Sequence, residues 1–242
     1  MVTGSSRGIG KAIALDMAAN GWEIIVHGSR ESEALLLSFN EVKKMSPGSI
    51  MEVADLSDGG AIRKMFSRLN RLDVLVNNAA TQNPSCFLDL KEEDWDLVLA
   101  VNLKAPFLCS QWAARLMRQN GASGIIINIS SVHAINPKRN YAHYSSSKGG
   151  LETLTKCMAM ELASLNIQVN SIIVGAIATE MTPAERQSKL ISAIPTNRIG
   201  KPEEIARLVT FLSSQQCAYM TGASITVDGG LTLGFCASRP DL

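Results

Sequence analysis

The sequence predicts an α/β fold in which one parallel sheet is doubly wound, with helices on both faces. Short apolar runs alternate with longer helical patterns along the 242 residues, and a glycine-rich turn opens the first helix. Parallel strands need crossover helices between them, so this alternation is typical of a Rossmann-type sheet. Because no linker, internal repeat or low-complexity tract divides the chain, we expect a single domain over residues 1–242.

The predicted strands are brief and apolar, as strands that are buried on both faces should be. They lie at residues 23–26, 49–53, 73–76, 124–129, 168–173 and 224–227. The helical patterns between them lie at residues 8–20, 31–44, 61–69, 92–118, 143–164 and 202–213. Pro202 is followed by two glutamates, which is typical of a helix start. The first N–H groups of a helix have no partner within it, so the missing N–H of proline costs nothing there, and acidic residues complement the helix dipole.

Two segments fit this pattern less well. A sheet of this kind needs a strand before its glycine turn, and only residues 1–3 are available; either this strand is unusually short or the natural chain is longer. Residues 175–200 contain two prolines and no clear strand. Connections of this length without secondary structure are uncommon unless they are functional, so we expect a lid over the site.

Composition excludes several classes of function. Hydrophobic residues make up 46% of the chain and charged residues 19%, as in a folded globular protein. A net charge of +1 gives no basic stripe, so nucleic acid is not an expected partner. No apolar run approaches about 18 residues and the N-terminus is unlike a signal peptide, so we expect no membrane. Five scattered cysteines predict a cytoplasmic protein without a metal site.

The glycine turn of residues 3–10 has the spacing G-x-x-x-G-x-G. Such glycines let the backbone turn tightly and approach a pyrophosphate, whose charge is met by the N–H groups of the following helix. Taken alone, the turn is also compatible with a glycine-rich start of a helix that binds no ligand. The cofactor contacts that it predicts are Gly4, Ser6, Arg7, Gly8, Ile9 and Gly10.

The residues after the strand at 23–26 favour NADP, with NAD possible. A site for NAD usually places an acid about 20 residues beyond the turn, where it bonds the ribose 2′-hydroxyl. Here no carboxylate occurs until Glu31, and Arg7 and Arg30, with Ser29 beside them, offer donors suited to a 2′-phosphate. The alternative is that one or both arginines are solvated surface residues.

Two further turns follow predicted strands. Asp55, next to Leu56, either caps the following helix or bonds the adenine amino group. The turn that contains Asn78, Ala79 and Ala80 follows the strand at 73–76. Because open α/β sheets bind ligands at the carboxyl ends of their strands, we expect both turns to contact the cofactor.

Tyr144 and Lys148 are four residues apart in a predicted helix, so their side chains share one face. Tyrosine ionises near pH 10, and a nearby cation favours its phenolate form, so we expect Lys148 and the positively charged ring of the cofactor together to lower the pKa of Tyr144. Ser131 follows the strand at 124–129 and can orient a substrate oxygen while Tyr144 moves the proton. By themselves, a tyrosine and lysine at this spacing are most often a surface pair.

In order and spacing these motifs resemble the short-chain dehydrogenase/reductase family, and the resemblance covers essentially the whole chain. In that family the serine lies 13 positions before the tyrosine, which selects Ser131 over Ser130. The resemblance implies a catalytic tetrad of Asn102, Ser131, Tyr144 and Lys148. Asn102 would hold a water in a proton relay through Lys148; the alternative is a polar residue at a helix kink. Further implied cofactor contacts are Tyr144, Lys148, Gly175, Ile177 and Thr179.

Within the family, residues 82–84, 130–133 and 227–233 resemble glucose 1-dehydrogenases. This implies a secondary alcohol or carbonyl substrate, such as a sugar or polyol, bound by Gln82, Ser131, His133 and Tyr144. Gln82 stands where that enzyme has glutamate, and His133 is alternatively a histidine at the pocket rim.

Two other functions remain open. A 3-oxoacyl-[acyl-carrier-protein] reductase would need a basic patch for its acidic carrier, for which residues 137–139 are the nearby candidate. A non-catalytic NADP-binding regulator would not need the tetrad, so the presence of all four residues argues against this function. The helices at 92–118 and 143–164 are apolar on more than one face, and the family resemblance implies a homotetramer built on them.

Overall fold

The computed structural model describes residues 1–121, 123–180 and 191–233. Its helices are α1 (Gly8–Ala19), α2 (Glu33–Met45), α3 (Gly59–Phe66), α4 (Glu92–Leu99), α5 (Ala105–Gln119), α6 (Ala142–Leu162) and α7 (Pro202–Leu212). Its strands are β1 (Ile25–Gly28), β2 (Ile50–Val53), β3 (Val74–Asn77), β4 (Gly124–Ser131), β5 (Ile167–Val174) and β6 (Ser224–Val227). One turn of π-helix, Ala100–Lys104, joins α4 to α5.

The strands form the predicted parallel, doubly wound sheet. β2 pairs with β1, and β3, β4, β5 and β6 pair in that order. Val2 bridges Val26 of β1 and Val76 of β3, which joins the two groups of strands. The expected first strand is therefore very short here, and the strand order reverses beside it. In open α/β sheets such a switch point is where ligands bind.

Two apolar clusters cover the two faces of the sheet. Neighbouring residues of β4 point to opposite faces, so Ile127 packs in the cluster of α1 and α7, whereas Ile126 packs in the cluster of α3 and α5. Both side chains are fully buried. Burial on both faces explains why the strands are continuous apolar runs rather than alternating ones.

Several predicted boundaries differ from the structure, and three of the differences have a clear local reason. β1 lies two residues later than predicted, because its pairing with β2 runs from Ile25 to Gly28 and a glycine carries no apolar signal. α3 begins at Gly59, two residues before its predicted start, because the Asp58 side chain accepts from the Gly60 N–H at 2.7 Å and caps the helix. The helix predicted at 92–118 is interrupted by the π-turn.

The helical run Glu92–Gln119 corrects one expectation. It contains an 18-residue window with a mean hydropathy of 1.2, so by length and composition alone it is apolar enough to cross a membrane. In the structure its Cys109, Ala113 and Met117 are fully buried in the core, which is the packing of an ordinary core helix. Among the described residues no other helix passes this test.

The two ends of the segment at 175–200 pair with each other. The Ala178 N–H donates to the Gly200 carbonyl at 2.9 Å, and the Gly200 N–H donates to the Ala176 carbonyl at 3.0 Å. Residues 181–190 lie outside the described residues, so the lid stays a prediction.

Candidate active site

A cleft of about 630 Å³ opens at the carboxyl ends of β1, β3, β4 and β5. It brings together residues that lie far apart in the sequence, from the glycine turn to the start of α6. The predicted residues that line it are Gly4, Ser6, Arg7, Gly8, Ile9, Gly10, Ser29, Asp55, Leu56, Asn78, Ala79, Ala80, Gln82, Ser131, His133, Tyr144, Lys148, Gly175, Ile177 and Thr179. Arg30 and Asn102 are the two predicted residues that do not line it.

The glycine turn is held tightly against the end of β3. Gly4 has a φ of +63°, which favours glycine. A Cβ on Gly10 would lie 2.4 Å from both the Gly4 carbonyl oxygen and Asn78 Nδ2, so a side chain there would force the turn apart. The Asn78 N–H donates to Thr3 Oγ1 at 2.9 Å, and Nδ2 donates to the Thr3 carbonyl at 2.9 Å. The glycines thus pack the turn closely against the end of β3, beside the start of α1, where backbone N–H groups suit a pyrophosphate.

His27 supports the same turn, and the sequence interpretation missed it. Its Nδ1 accepts from the Gly4 N–H at 3.1 Å, and its Nε2 lies 3.1 Å from the Ala54 carbonyl, so the neutral imidazole with its proton on Nε2 fits both partners. Burial lowers the pKa of His27 to about 4. A single histidine in an apolar strand carries no sequence signal that distinguishes this role from plain core packing.

We expect the protein to lose stability as the pH falls from 6.5 to 4, because His27 must be neutral in the fold. Its pKa falls from 6.5 to about 4 on folding, so between these values the unfolded chain binds the proton and the folded chain does not. The free energy of unfolding should lose roughly 2 to 3 kcal/mol over this range from His27 alone. Urea unfolding at pH 7 and pH 4.5 measures the loss.

His27→Gln is the control, because glutamine offers both a donor and an acceptor but does not titrate. The difference in stability between the two pH values should shrink by about 2 kcal/mol in this variant. An unchanged difference would show that His27 does not titrate as described.

The residues that we expect to distinguish NADP from NAD line the cleft only in part. Arg7 lines the cleft, and its guanidinium forms an ion pair with Glu180 at 2.8 Å, with both side chains exposed. Arg30 is exposed and lies outside the lining. Asp55 accepts from the Ser57 N–H at 2.9 Å. It does not cap α3, since Asp58 does, so the capping interpretation of Asp55 was wrong.

The three reactive side chains converge at the end of β4. Ser131 is the last residue of that strand, and its Oγ accepts from the His133 N–H at 3.2 Å, where a 3₁₀ turn begins. The Tyr144 hydroxyl lies close enough to Ser131 for the serine hydroxyl to favour the ionised form of Tyr144. The Lys148 ammonium donates to the Ile129 carbonyl at 2.8 Å and lies 5.9 Å from the centre of the Tyr144 ring. The spacing of 13 residues thus brings Ser131 and Tyr144 into contact across the cleft.

Burial dominates the electrostatics of this group. It raises the pKa of Tyr144, and the neighbouring Ser131 hydroxyl opposes this change. The lowering expected from Lys148 together with the cofactor stays a prediction. Burial also lowers the pKa of Lys148 to about 8, although the Glu152 carboxylate opposes this change. Desolvation is thus the largest influence on the pKa of both groups, and it holds Tyr144 in its protonated form.

Asn102 lies behind the cleft, in the π-turn between α4 and α5. Its Oδ1 accepts from the Thr81 N–H at 2.8 Å, and its Nδ2 donates to the Thr81 carbonyl at 2.9 Å and to Ser147 Oγ at 3.2 Å. It thus connects the loop after β3 to helix α6, which carries Tyr144. Asn102 is a kink residue by position, and its expected water relay stays a prediction.

The other end of the cleft has an aromatic wall. The ring centres of His133, Tyr141 and Tyr144 lie 6.1–6.3 Å from one another. Lys138 and Tyr141 line this end together with Gln82. Lys138 was expected only as part of a basic patch for a carrier protein, and Tyr141 was not predicted. Tyr141 lies three residues before Tyr144, so helical spacing was the signal that could have identified it.

The fold and the site define the class of protein: an oxidoreductase that binds a nicotinamide dinucleotide in a Rossmann-type cleft and acts on an alcohol or carbonyl group. The chain belongs to the short-chain dehydrogenase/reductase family. A family model described as enoyl-(acyl carrier protein) reductase matches residues 4–232. Known relatives support this assignment over almost the full length of the chain.

Three relatives illustrate the range of chemistry in the family. The chain is 37% identical over 238 residues to a 3-oxoacyl-[acyl-carrier-protein] reductase of Synechocystis, covering 96% of each chain. It is 39% identical to the acetoin dehydrogenase of Enterobacter cloacae, with a TM-score of 0.90 and coverage of 99% and 97%. It is 34% identical to a candidate 2-deoxy-D-gluconate 3-dehydrogenase of Agrobacterium tumefaciens solved with NADP, with a TM-score of 0.89 and coverage of 96% and 95%.

Proposed function

We propose that this protein reduces a ketone to a secondary alcohol, with Tyr144 as the proton donor. The observation that carries this proposal is the half-buried Tyr144, which lines the cleft beside Ser131 and is held in its protonated form by desolvation, which raises its pKa. Ser131 holds the substrate oxygen, and Tyr144 gives it a proton as negative charge develops there. When bound, the nicotinamide cofactor supplies the hydride. The same groups act in reverse when Tyr144 is ionised.

The residues that would hold the cofactor surround the other half of the cleft. Gly4, Gly8 and Gly10 line the cleft at the start of α1, where backbone N–H groups would bind the pyrophosphate. Lys148 would donate to the ribose hydroxyls, and Asn102 would hold a water that relays protons to Lys148. The remaining contacts are Ser6, Arg7, Ile9, Ser29, Arg30, Asp55, Leu56, Asn78, Ala79, Ala80, Tyr144, Gly175, Ile177 and Thr179.

We propose NADP as the preferred cofactor. The end of β1 carries no carboxylate to bond a ribose 2′-hydroxyl, and Arg7 stands in the cleft nearby. The bound NADP of the Agrobacterium relative agrees with this assignment. Arg30 would contribute only if its exposed side chain turned toward the cleft.

The double variant Arg7→Ala, Arg30→Ala should weaken NADP binding about tenfold to a hundredfold, and NAD binding by less than about threefold. The reason is that a guanidinium bonds a phosphate through paired, charge-assisted hydrogen bonds, each worth roughly 1.5–3 kcal/mol. Fluorescence titration with NADPH and NADH measures both affinities. Equal losses for the two cofactors would contradict the 2′-phosphate assignment.

Glu180→Gln is the matched control for that experiment. It breaks the ion pair that now occupies Arg7, so NADPH affinity should rise or stay unchanged while NADH affinity stays the same. A fall in NADPH affinity would show that Glu180, rather than Arg7, supports cofactor binding.

Among substrates we propose first a sugar or polyol, bound by Gln82 and His133 together with Ser131 and Tyr144. Gln82 and His133 both line the cleft. A second candidate is 3-oxoacyl-[acyl-carrier-protein] reductase, favoured by the Synechocystis relative and by the exposed Lys138 and Arg139 near the cleft. A non-catalytic NADP-binding regulator is a third candidate.

A screen of carbonyl compounds separates these functions. The purified protein is mixed with NADPH or NADH and with keto sugars, diketones, β-ketoesters or 3-oxoacyl thioesters, and the loss of absorbance at 340 nm is followed. Turnover of any ketone supports the proposed reaction, and the preferred ketone identifies the substrate class. Binding of NADPH without turnover of any compound would favour the regulator.

Two further proposals concern the surroundings of the protein. We propose that copies of this chain cover the outer faces of α5 and α6 in a homotetramer, since Phe107 and Met160 on those helices are 42% and 83% exposed. We also propose a cytoplasmic location, because the four described cysteines are free thiols, as a reducing compartment favours.

A further inference from the structure

We propose that Lys138 binds an acidic group of the substrate, so that the physiological substrate is a keto acid or hydroxy acid, such as a sugar acid. This inference rests on the proposed function and names its substrate class. It assigns a role to a residue that the catalytic group does not use. The geometry of the loop before α6, the aromatic wall and the distribution of charge in the cleft support it independently.

The loop before α6 fixes the backbone of Lys138 beside the cleft. The Tyr141 N–H donates to the Lys138 carbonyl at 3.2 Å and closes a turn, in which Asn140 has a φ of +68°. The Asn140 carbonyl in turn accepts from the Ser85 N–H at 3.0 Å. This hydrogen bond holds the turn to the loop that carries Gln82, and so fixes the position of the turn at the substrate end of the cleft.

The Lys138 side chain is directed along the aromatic wall. Its ammonium lies 4.8 Å from the centre of the Tyr141 ring, at the distance of a cation–π contact. The Tyr141 ring meets the Tyr144 ring edge-on, with 6.1 Å between their centres. The Lys138 ammonium therefore lies next to Tyr141, and Tyr141 lies next to the proton donor Tyr144. A substrate of a few carbons, with its carbonyl at Tyr144, can therefore reach Lys138 with an acidic end.

The charges in the cleft are unevenly distributed. Among the charged side chains that line it, Arg7 and Glu180 neutralise each other, and Asp55 lies with Ser57 in the cofactor half. The substrate half contains Lys138 and the buried Lys148. Within the described parts of the chain, no carboxylate forms an ion pair with Lys138. An anionic substrate would therefore meet a cation without a competing carboxylate.

A neutral substrate gains little from this arrangement. An ammonium bonds a carboxylate through a charge-assisted hydrogen bond, whereas a hydroxyl group gives only a weaker, neutral one. Electrostatic complementarity of this kind contributes mainly to selectivity between ligands. A polyol that carries an acidic end can bond Gln82, His133 and Lys138 at once, whereas a neutral sugar offers Lys138 no anionic partner.

The test compares one keto acid with one neutral ketone of the same length, 5-keto-D-gluconate and D-fructose, with NADPH. The wild-type protein should prefer the acid. Lys138→Met should lower the ratio of kcat/KM for the acid to kcat/KM for the neutral sugar about fivefold to twentyfold, through KM. Raising the salt from about 50 to 500 mM should lower the same ratio in the wild type, because salt screens exposed charges, and should change it much less in Lys138→Met.

Arg139→Gln is the matched control, because Arg139 is the exposed neighbour of Lys138 and does not line the cleft. It removes the same charge from the same loop and should leave the ratio unchanged. An equal loss in both variants, or no preference for the acid in the wild type, would overturn the assignment of Lys138. Ketone reduction without such a preference would leave the proposed function standing, whereas no reduction of any carbonyl compound with either cofactor would overturn both.

Discussion

Replacement of Tyr144 by phenylalanine should lower turnover about a thousandfold and leave NADPH affinity within about twofold of the wild type. The ring and its edge-on contact with Tyr141 remain, but the hydroxyl that donates the proton beside Ser131 is lost. General acid catalysis by one positioned group contributes typically 10²- to 10⁴-fold. Steady-state kinetics on the best ketone of the screen gives kcat, and NADPH fluorescence gives the affinity.

Tyr219→Phe is the control for this variant. Tyr219 is fully exposed and does not line the cleft, so the same chemical change there should leave kcat unchanged. If Tyr144→Phe retained wild-type turnover while Tyr219→Phe behaved identically, the proton would have to come from another group, and the proposed mechanism would be wrong.

Lys148 should give the second largest effect, and its effect should depend on pH. Burial lowers its pKa to about 8, so the ammonium is charged below this pH and neutral above it. Since only the charged form is a strong donor to the ribose and an electrostatic support for an ionised Tyr144, kcat/KM for NADPH should fall up to tenfold per pH unit above pH 8. Lys148→Met should be about a hundredfold less active at pH 7 and should lack this decline.

Glu152→Gln tests the origin of that pH dependence. The Glu152 carboxylate raises the pKa of Lys148 and accepts hydrogen bonds from Ser171 and Ser224 at 2.8 and 2.6 Å. A glutamine amide can still accept both bonds but carries no charge. The decline in kcat/KM should therefore begin at lower pH than in the wild type. An unchanged profile would mean that Lys148 is not the group that titrates.

The fold was largely predictable, because its strands are buried on both faces and its helices are not. Continuous apolar runs therefore marked the strands, and β6 has the bounds predicted for it. The π-turn at Ala100–Lys104 was not predictable, since its cause is tertiary: Asn102 bonds the loop at Thr81 and Ser147 of α6. β1 was misplaced because Gly28 pairs in the sheet but contributes no apolar side chain.

The candidate site was predictable where its chemistry follows spacing along the chain. The interval between Ser131 and Tyr144 and the helical step to Lys148 both correspond to contacts in the structure. The rise that burial causes in the pKa of Tyr144 could not be predicted from spacing, because burial depends on the whole fold. His27 was missed for the same reason, since its two partners come from other loops.

Transfer of deuterium from labelled NADPH to the product tests the central claim most directly. The protein is incubated with NADPH deuterated on the transferring face of its nicotinamide ring and with the ketone that it reduces best, and the alcohol is analysed by mass spectrometry. The proposed reaction predicts one deuterium on the carbinol carbon in the wild type, and about a thousandfold slower labelling in Tyr144→Phe. Tight NADPH binding with no labelled alcohol from any ketone would contradict it.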